Sequence, residues 1–137
     1  MFKTLIVEDN PTFRQSLRGL LFAQFPFMEI DEAGSGKEAL GKIDLIRPDL
    51  IFMDIKLPGE NGFKLTKRIK AAYPEIAVII LTSYDLPEYR QAAAQCGASH
   101  FLSKDTSTEE LLGLVQSILS EKGFDPSDPN SDWGVPS

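Results

Sequence analysis

At 137 residues the chain has the length of one ordinary domain, and 42% hydrophobic with 25% charged residues is the composition of a chain that buries a core. A net charge of −6 excludes a broad basic surface, and with it nonspecific binding of nucleic acid or of an anionic membrane. The single Cys96 and single His100 exclude an internal disulfide, a two-cysteine metal site and a His-rich zinc site.

Short continuous apolar runs alternate along the chain with longer segments of helical spacing. Met1 to Val7 contains the first strand, Lys3 to Val7, and gives way to Glu8-Asp9 too soon for a signal peptide, so a cytoplasmic location is expected. Asn10-Pro11 then offers an N-cap and a first-turn proline for a helix whose Phe13, Leu17, Leu20 and Leu21 share one face. The second strand, Met28 to Glu32, alternates apolar and acidic residues as an edge strand does. Ser35-Gly36-Lys37-Glu38 fits a capping box at the second helix. It is not a phosphate-binding loop, because the pattern's first glycine would fall on Asp31 and its Ser/Thr on Glu38.

Leu50 to Met53 is the third strand, and a third helix over about 62–72 ends before Tyr73-Pro74. Ile76 to Leu81 is the fourth strand. Pro87, after Asp85 as its cap, opens a fourth helix over about 88–96 that stops at Gly97. Ser99 to Leu102 is the fifth strand, and a second capping box, Ser107 to Glu110, opens a helix over about 108–122. Strict alternation of five strands and five helices implies an α/β fold, a doubly wound parallel sheet with right-handed crossovers. The folded body is expected over residues 1–122. Residues 123–137, with two Asp-Pro pairs, three Asp and no base, read as an acidic disordered tail.

In such a sheet the ligand site lies beyond the carboxyl ends of the strands. Here those ends carry Glu8-Asp9, Asp54, Thr82-Ser83 and Ser103-Lys104. Three carboxylates brought together repel unless a cation intervenes, and oxygen ligands without sulfur or imidazole suit Mg²⁺ or Mn²⁺. Lys104 and the Thr82 hydroxyl would supply a point charge and a donor for an anion beside the metal. This is the equipment for phosphoryl transfer to a carboxylate, with Asp54 as the nucleophile.

With these residues in view, the sequence resembles the receiver domain of bacterial two-component response regulators over roughly residues 2 to 121. The acidic pair is matched by Glu8-Asp9 and the phosphoacceptor by Asp54 in Met53-Asp54-Ile55-Lys56-Leu57-Pro58-Gly59-Glu60-Asn61-Gly62. Thr82 matches the hydroxyl residue, Lys104 the lysine, and Phe101 the switch aromatic three positions earlier. The resemblance implies a flavodoxin-like (βα)5 fold with strand order 2-1-3-4-5. It implies a phosphoryl group accepted at Asp54 from a sensor histidine kinase, and Mg²⁺ held by Glu8, Asp9, Asp54 and the backbone carbonyl of Lys56. It further implies a switch in which Thr82, Lys104 and Phe101 alter the face made by the fourth helix, fifth strand and fifth helix. A downstream protein or a second copy of the chain would read that face near Leu86, Arg90, Ser103 and Asp105, while Lys56 and Tyr84 stand where the family tunes the phosphoryl lifetime.

One departure is informative. Lys104 is followed by Asp105 rather than the family's common proline, which is similar to receivers that precede a LuxR-type helix-turn-helix. The alternative to a stand-alone receiver is therefore the receiver portion of a LuxR-type transcription regulator. A Mg²⁺-dependent phosphatase or mutase is the remote alternative. Such enzymes commonly place a second Asp, as general acid, two residues after the nucleophile, and Lys56 stands there.

Overall fold

The computed structural model describes residues 1–124; the stretch expected as an acidic tail lies outside the described residues from Asp125 onward. Five strands form one parallel sheet: β1 (Lys3–Val7), β2 (Glu29–Ala33), β3 (Leu50–Met53), β4 (Ala77–Thr82) and β5 (His100–Ser103). Their order is β2-β1-β3-β4-β5, the predicted 2-1-3-4-5. Registers such as Val7 opposite both Ala33 and Met53 bring the ends of the central strands level.

The helices are α1 (Pro11–Gln24), α2 (Gly36–Ile46), α3 (Gly62–Ala72), α4 (Pro87–Gln95) and α5 (Thr108–Glu121). Apolar side chains alternate sides along β1, so Leu5 and Val7 pack under α2 and α3 with Ala39, Ile43, Leu65 and Ile69, whereas Phe2 and Ile6 pack under α1 and α5 with Leu17, Leu21, Val115 and Leu119. All four residues of β3 are buried, as a central parallel strand covered on both faces requires.

Strands β1 and β3 lie where the apolar runs place them. β2 and β4 begin one residue later than expected, because Met28 and Ile76, although buried, give their N–H groups to turn contacts with the Phe25 and Tyr73 carbonyls rather than to the ladder. Ser35 and Ser107 each accept from the N–H three residues on, at 3.2 Å, but the boxes are one-sided: the Glu38 carboxylate takes the Gly34 N–H instead. The expected Asp85 cap of α4 is corrected. Leu86 is the N-cap, without a side-chain bond, and Asp85 is engaged with Arg90.

Asn61 caps α3 through the Phe63 and Lys64 N–H groups and closes a small hairpin of Lys56–Leu57 against Glu60–Asn61. Gly59, at φ +66, takes the left-handed position that the Pro58-Gly59 turn requires. At the other end, Gly123 (φ +82) donates to Ser120 and Phe124 to Leu119, a Schellman closure of α5 that seats the Phe124 ring edge-on against Phe2 at 5.1 Å. Gly123 and Phe124 thus continue the folded body past Lys122. Among the described residues no helix is long and apolar enough to cross a membrane.

Candidate functional site

The strand order reverses between β1 and β3, and the crevice above their carboxyl ends is where an open α/β sheet binds ligands. Glu8 and Asp9 follow β1 directly and Asp54 follows β3. The Asp54 N–H is held by the Val7 carbonyl at 3.1 Å and the Glu8 N–H by the Ala33 carbonyl at 2.9 Å, so the sheet ladder itself aims both side chains into the crevice. One carboxylate oxygen from each of Glu8, Asp9 and Asp54 lies within 4.8 Å of the others.

The three differ in environment. Asp9 is exposed, Asp54 is partly covered, and Glu8 is almost wholly buried. The Lys104 ammonium bridges the two covered carboxylates, contacting Glu8 Oε1 and lying 3.3 Å from Asp54 Oδ2. The residue is placed by its backbone N–H, which donates to the Thr82 carbonyl at 2.7 Å, and the ammonium sits 4.5 Å from the centre of the Phe13 ring. Asp54 Oδ1 accepts the Ile55 N–H at 2.8 Å.

Burial, together with the neighbouring Asp54 carboxylate, pushes the Glu8 carboxyl up to about 7, against the opposing pull of Lys104. Burial would lower the Lys104 ammonium, but contact with Glu8 and Asp54 outweighs it and the group is raised. Glu8 Oε2 is buried and has no hydrogen-bond partner among the described residues. An orphaned carboxylate oxygen beside two more carboxylates is what a hard divalent cation would satisfy, and the all-oxygen donor set fits Mg²⁺ chemistry.

The other expected residues fall into two groups around this cluster. Thr82 is buried at the end of β4 while Ser83 is exposed, and the Thr82 hydroxyl accepts the Tyr84 N–H at 3.2 Å, which turns the loop after β4. The Lys56 ammonium stands 4.0 Å over the Tyr84 ring, so the two side chains form a pair. Phe101 is half-buried against the α2–α4 side of the core and is covered by the Arg90 guanidinium at 4.9 Å. Leu86, Arg90 and Asp105 are exposed and Ser103 is half-buried; Ser103 Oγ accepts the Asp105 N–H at 3.1 Å.

Sequence reasoning missed Arg14, whose guanidinium donates to the Glu8 carbonyl at 2.7 Å and to Glu32 at 2.9 Å, fixing the backbone of the acidic pair. Its position one turn into α1, four residues after the cap, was the available signal. Gly62 was also missed as a site residue. Its N–H donates to the Ile55 carbonyl at 2.8 Å and its bare Cα faces the backbone of Asp54.

Comparisons with known proteins place this arrangement. The sequence profile of the response regulator receiver domain matches residues 4–116. The chain is 34% identical over 118 residues to the DNA-binding transcriptional activator DevR/DosR of Mycobacterium tuberculosis, covering 86% of this chain and 54% of that protein. It is 32% identical over 114 residues to the uncharacterized transcriptional regulatory protein YxjL of Bacillus subtilis, covering 83% and 52%. The chain therefore spans about half the length of these curated relatives.

Among solved structures, the signal receiver domain of a DNA-binding response regulator from Colwellia psychrerythraea superposes with a TM-score of 0.84 at 25% identity, covering 88% of this chain and 99% of that one. Chemotaxis protein CheY4 of Vibrio cholerae gives 0.78 at 32% identity, covering 87% and 99%. On the profile match, and with the sheet order that the family fold requires, the chain belongs to the response regulator receiver family, a signalling module rather than a free-standing phosphatase or mutase.

Proposed function

We propose that Asp54 is the phosphoacceptor of this receiver, taking its phosphoryl group from a sensor histidine kinase. The observation that carries the reading is the bridge of Lys104 between Glu8 and Asp54 beside an exposed Asp9: a nucleophile, an acidic metal cradle and a fixed cation within one crevice. Glu8, Asp9, Asp54 and the backbone carbonyl of Lys56 would hold Mg²⁺. When bound, the ion supplies positive charge against the phosphoryl oxygens.

An oxygen of Asp54 attacks phosphorus, a P–O bond forms as the P–N bond to the kinase histidine breaks, and the leaving imidazole keeps the electron pair and takes a proton from solvent. Lys104 and the Thr82 hydroxyl then turn to the new anion. Thr82 leaves its contact with the Tyr84 N–H, the loop after β4 moves, and Phe101 follows, changing the α4-β5-α5 face. Leu86, Arg90, Ser103 and Asp105 present that face to a downstream protein or a second copy of the chain. Lys56 and Tyr84, stacked on each other, restrict water and so lengthen the phosphoryl lifetime. A module of this kind works in the cytoplasm and itself binds neither membrane nor nucleic acid.

A second reading, the receiver portion of a LuxR-type transcription regulator, is favoured by the chain spanning only about half of relatives named as transcriptional regulators. In both readings the chemistry at Asp54 is the same. Intact-protein mass after incubation with phosphoramidate, with and without Mg²⁺, tests it. One added phosphoryl group, absent from Asp54→Asn and dependent on Mg²⁺, is expected; an adduct that persists in Asp54→Asn overturns the assignment.

A further inference from the structure

Asp85 lies in the loop after β4 and Arg90 in the first turns of α4, and both are exposed. Exposed ion pairs are usually loose. This one is two-pronged: Arg90 Nε meets Asp85 Oδ1 at 2.6 Å and Nη2 meets Oδ2 at 3.0 Å. A fork-to-fork grip fixes the plane of a guanidinium as a single contact does not. The plane so fixed stands over the ring of Phe101, with the guanidinium carbon 4.9 Å from the ring centroid. Asp85 thereby does not cap α4, the role its position suggested, and α4 starts without a side-chain cap. The carboxylate is spent on aiming Arg90 across to β5.

We propose that Asp85 and Arg90 form a latch that biases Phe101 towards its half-buried resting position, so that displacing the loop that carries Asp85 favours the switched-on state. The inference rests on the phosphoacceptor reading of Asp54 and adds a restraint on the Phe101 side chain. The chain connects the two ends. Thr82 closes β4, its hydroxyl takes the Tyr84 N–H, and Asp85 is the next residue. A pull on the Thr82 hydroxyl therefore moves Asp85 first, the two-pronged grip loses its geometry, and the guanidinium is freed from the ring. Phe101 can leave its place only by giving up the same contact. An exposed cation–ring contact is worth a factor of about 2 to 5 in an equilibrium constant, enough to bias a switch without locking it.

The test uses the whole chain with a fluorine-labelled phenylalanine at position 101, read by ¹⁹F NMR, and phosphoryl uptake from phosphoramidate in Mg²⁺, read by intact mass. In Arg90→Ala and Asp85→Ala, the resting ¹⁹F signal should shift towards the position the wild type reaches when phosphorylated, and the initial uptake rate should rise about 2- to 5-fold. Arg90→Lys keeps the charge but cannot make the fork, and should fall between. Both residues are exposed, so the variants should melt within a few degrees of the wild type, which separates a latch from a folding defect. Unchanged uptake and an unchanged resting ¹⁹F signal in Arg90→Ala would overturn the latch while leaving Asp54 chemistry intact. Failure of the wild type itself to take up phosphate would instead remove the phosphoacceptor reading, and the latch with it.

Discussion

A methyl group on Gly62 would stand 2.0 Å from the carbonyl oxygen of Asp54, a separation no carbon and oxygen tolerate. The first residue of α3 is thus in contact with the backbone of the residue that carries the site's central carboxylate. Because the obstacle is backbone on both sides, no side-chain rotation relieves it. Gly62→Ala should therefore push Asp54 out of register with Glu8 and Lys104. The expected cost is about 1–3 kcal/mol of stability, typical of an overpacked site, with phosphoryl uptake reduced further than the lost stability explains. Chemical denaturation and intact mass on the same sample check both. Wild-type uptake in Gly62→Ala would show that the close approach does not position Asp54.

The Glu8 carboxyl, raised from its ordinary 4.5 to about 7 by burial and by Asp54, makes stability depend on pH. The folded chain keeps a proton that the unfolded chain releases between those two values, so stability falls as pH rises from about 4.5 to about 7 and is flat above. The upper bound on this term is on the order of 3 kcal/mol. In a metal chelator the wild type should lose melting temperature across that window relative to Glu8→Gln, whose residue 8 cannot ionise. Millimolar Mg²⁺ should flatten the wild-type profile by favouring the ionised cluster. Parallel profiles for the two proteins from pH 5 to 8 would mean that Glu8 is charged throughout.

The cation–ring pair of Lys56 and Tyr84 makes a prediction about time rather than occupancy. If the stacked pair shields an acyl phosphate at Asp54 from water, Lys56→Ala and Tyr84→Ala should each shorten the phosphoryl half-life, and the double variant should do little more than either alone. Non-additivity of this kind is expected when two side chains act through their mutual contact. Decay of the phosphorylated mass after removal of donor measures it. Half-lives that match the wild type in both single variants would dispose of the shielding role.

What the sequence disclosed and what it hid follow one physical division. Strands β1 and β3 were legible to the residue because strands buried on both faces read as short apolar runs, and the polar residues that follow them are the ones that meet above the sheet. Glu8, Asp9 and Asp54 were found in that way, and Lys104 by the same rule at the end of β5. The hairpin at 56–61 was not, since two-residue strands are too short to show a period. Asp85 was misread because a carboxylate two residues before a helix proline has the look of a cap, and only the fold shows that Arg90 takes it. The pairs Lys56–Tyr84 and Arg90–Phe101 are contacts between elements, and no spacing along the chain encodes them.

The last prediction concerns the core. Thr4, in the middle of the sheet on β1 opposite Ile30 and Leu50, is fully buried, and its hydroxyl has no hydrogen-bond partner among the described residues. A hydroxyl stripped of water and given nothing in return costs roughly 1–3 kcal/mol. Valine has the same branched shape, suits a central strand equally well and has no polar atom to strand. Thr4→Val should therefore raise stability by about 1 kcal/mol, or roughly 3 to 5 °C in melting temperature for a domain of this size. Phosphoryl uptake should be unchanged, since Thr4 lies at the opposite end of β1 from Glu8 and Asp9. A lowered melting temperature would show instead that the hydroxyl binds a buried water that the valine expels.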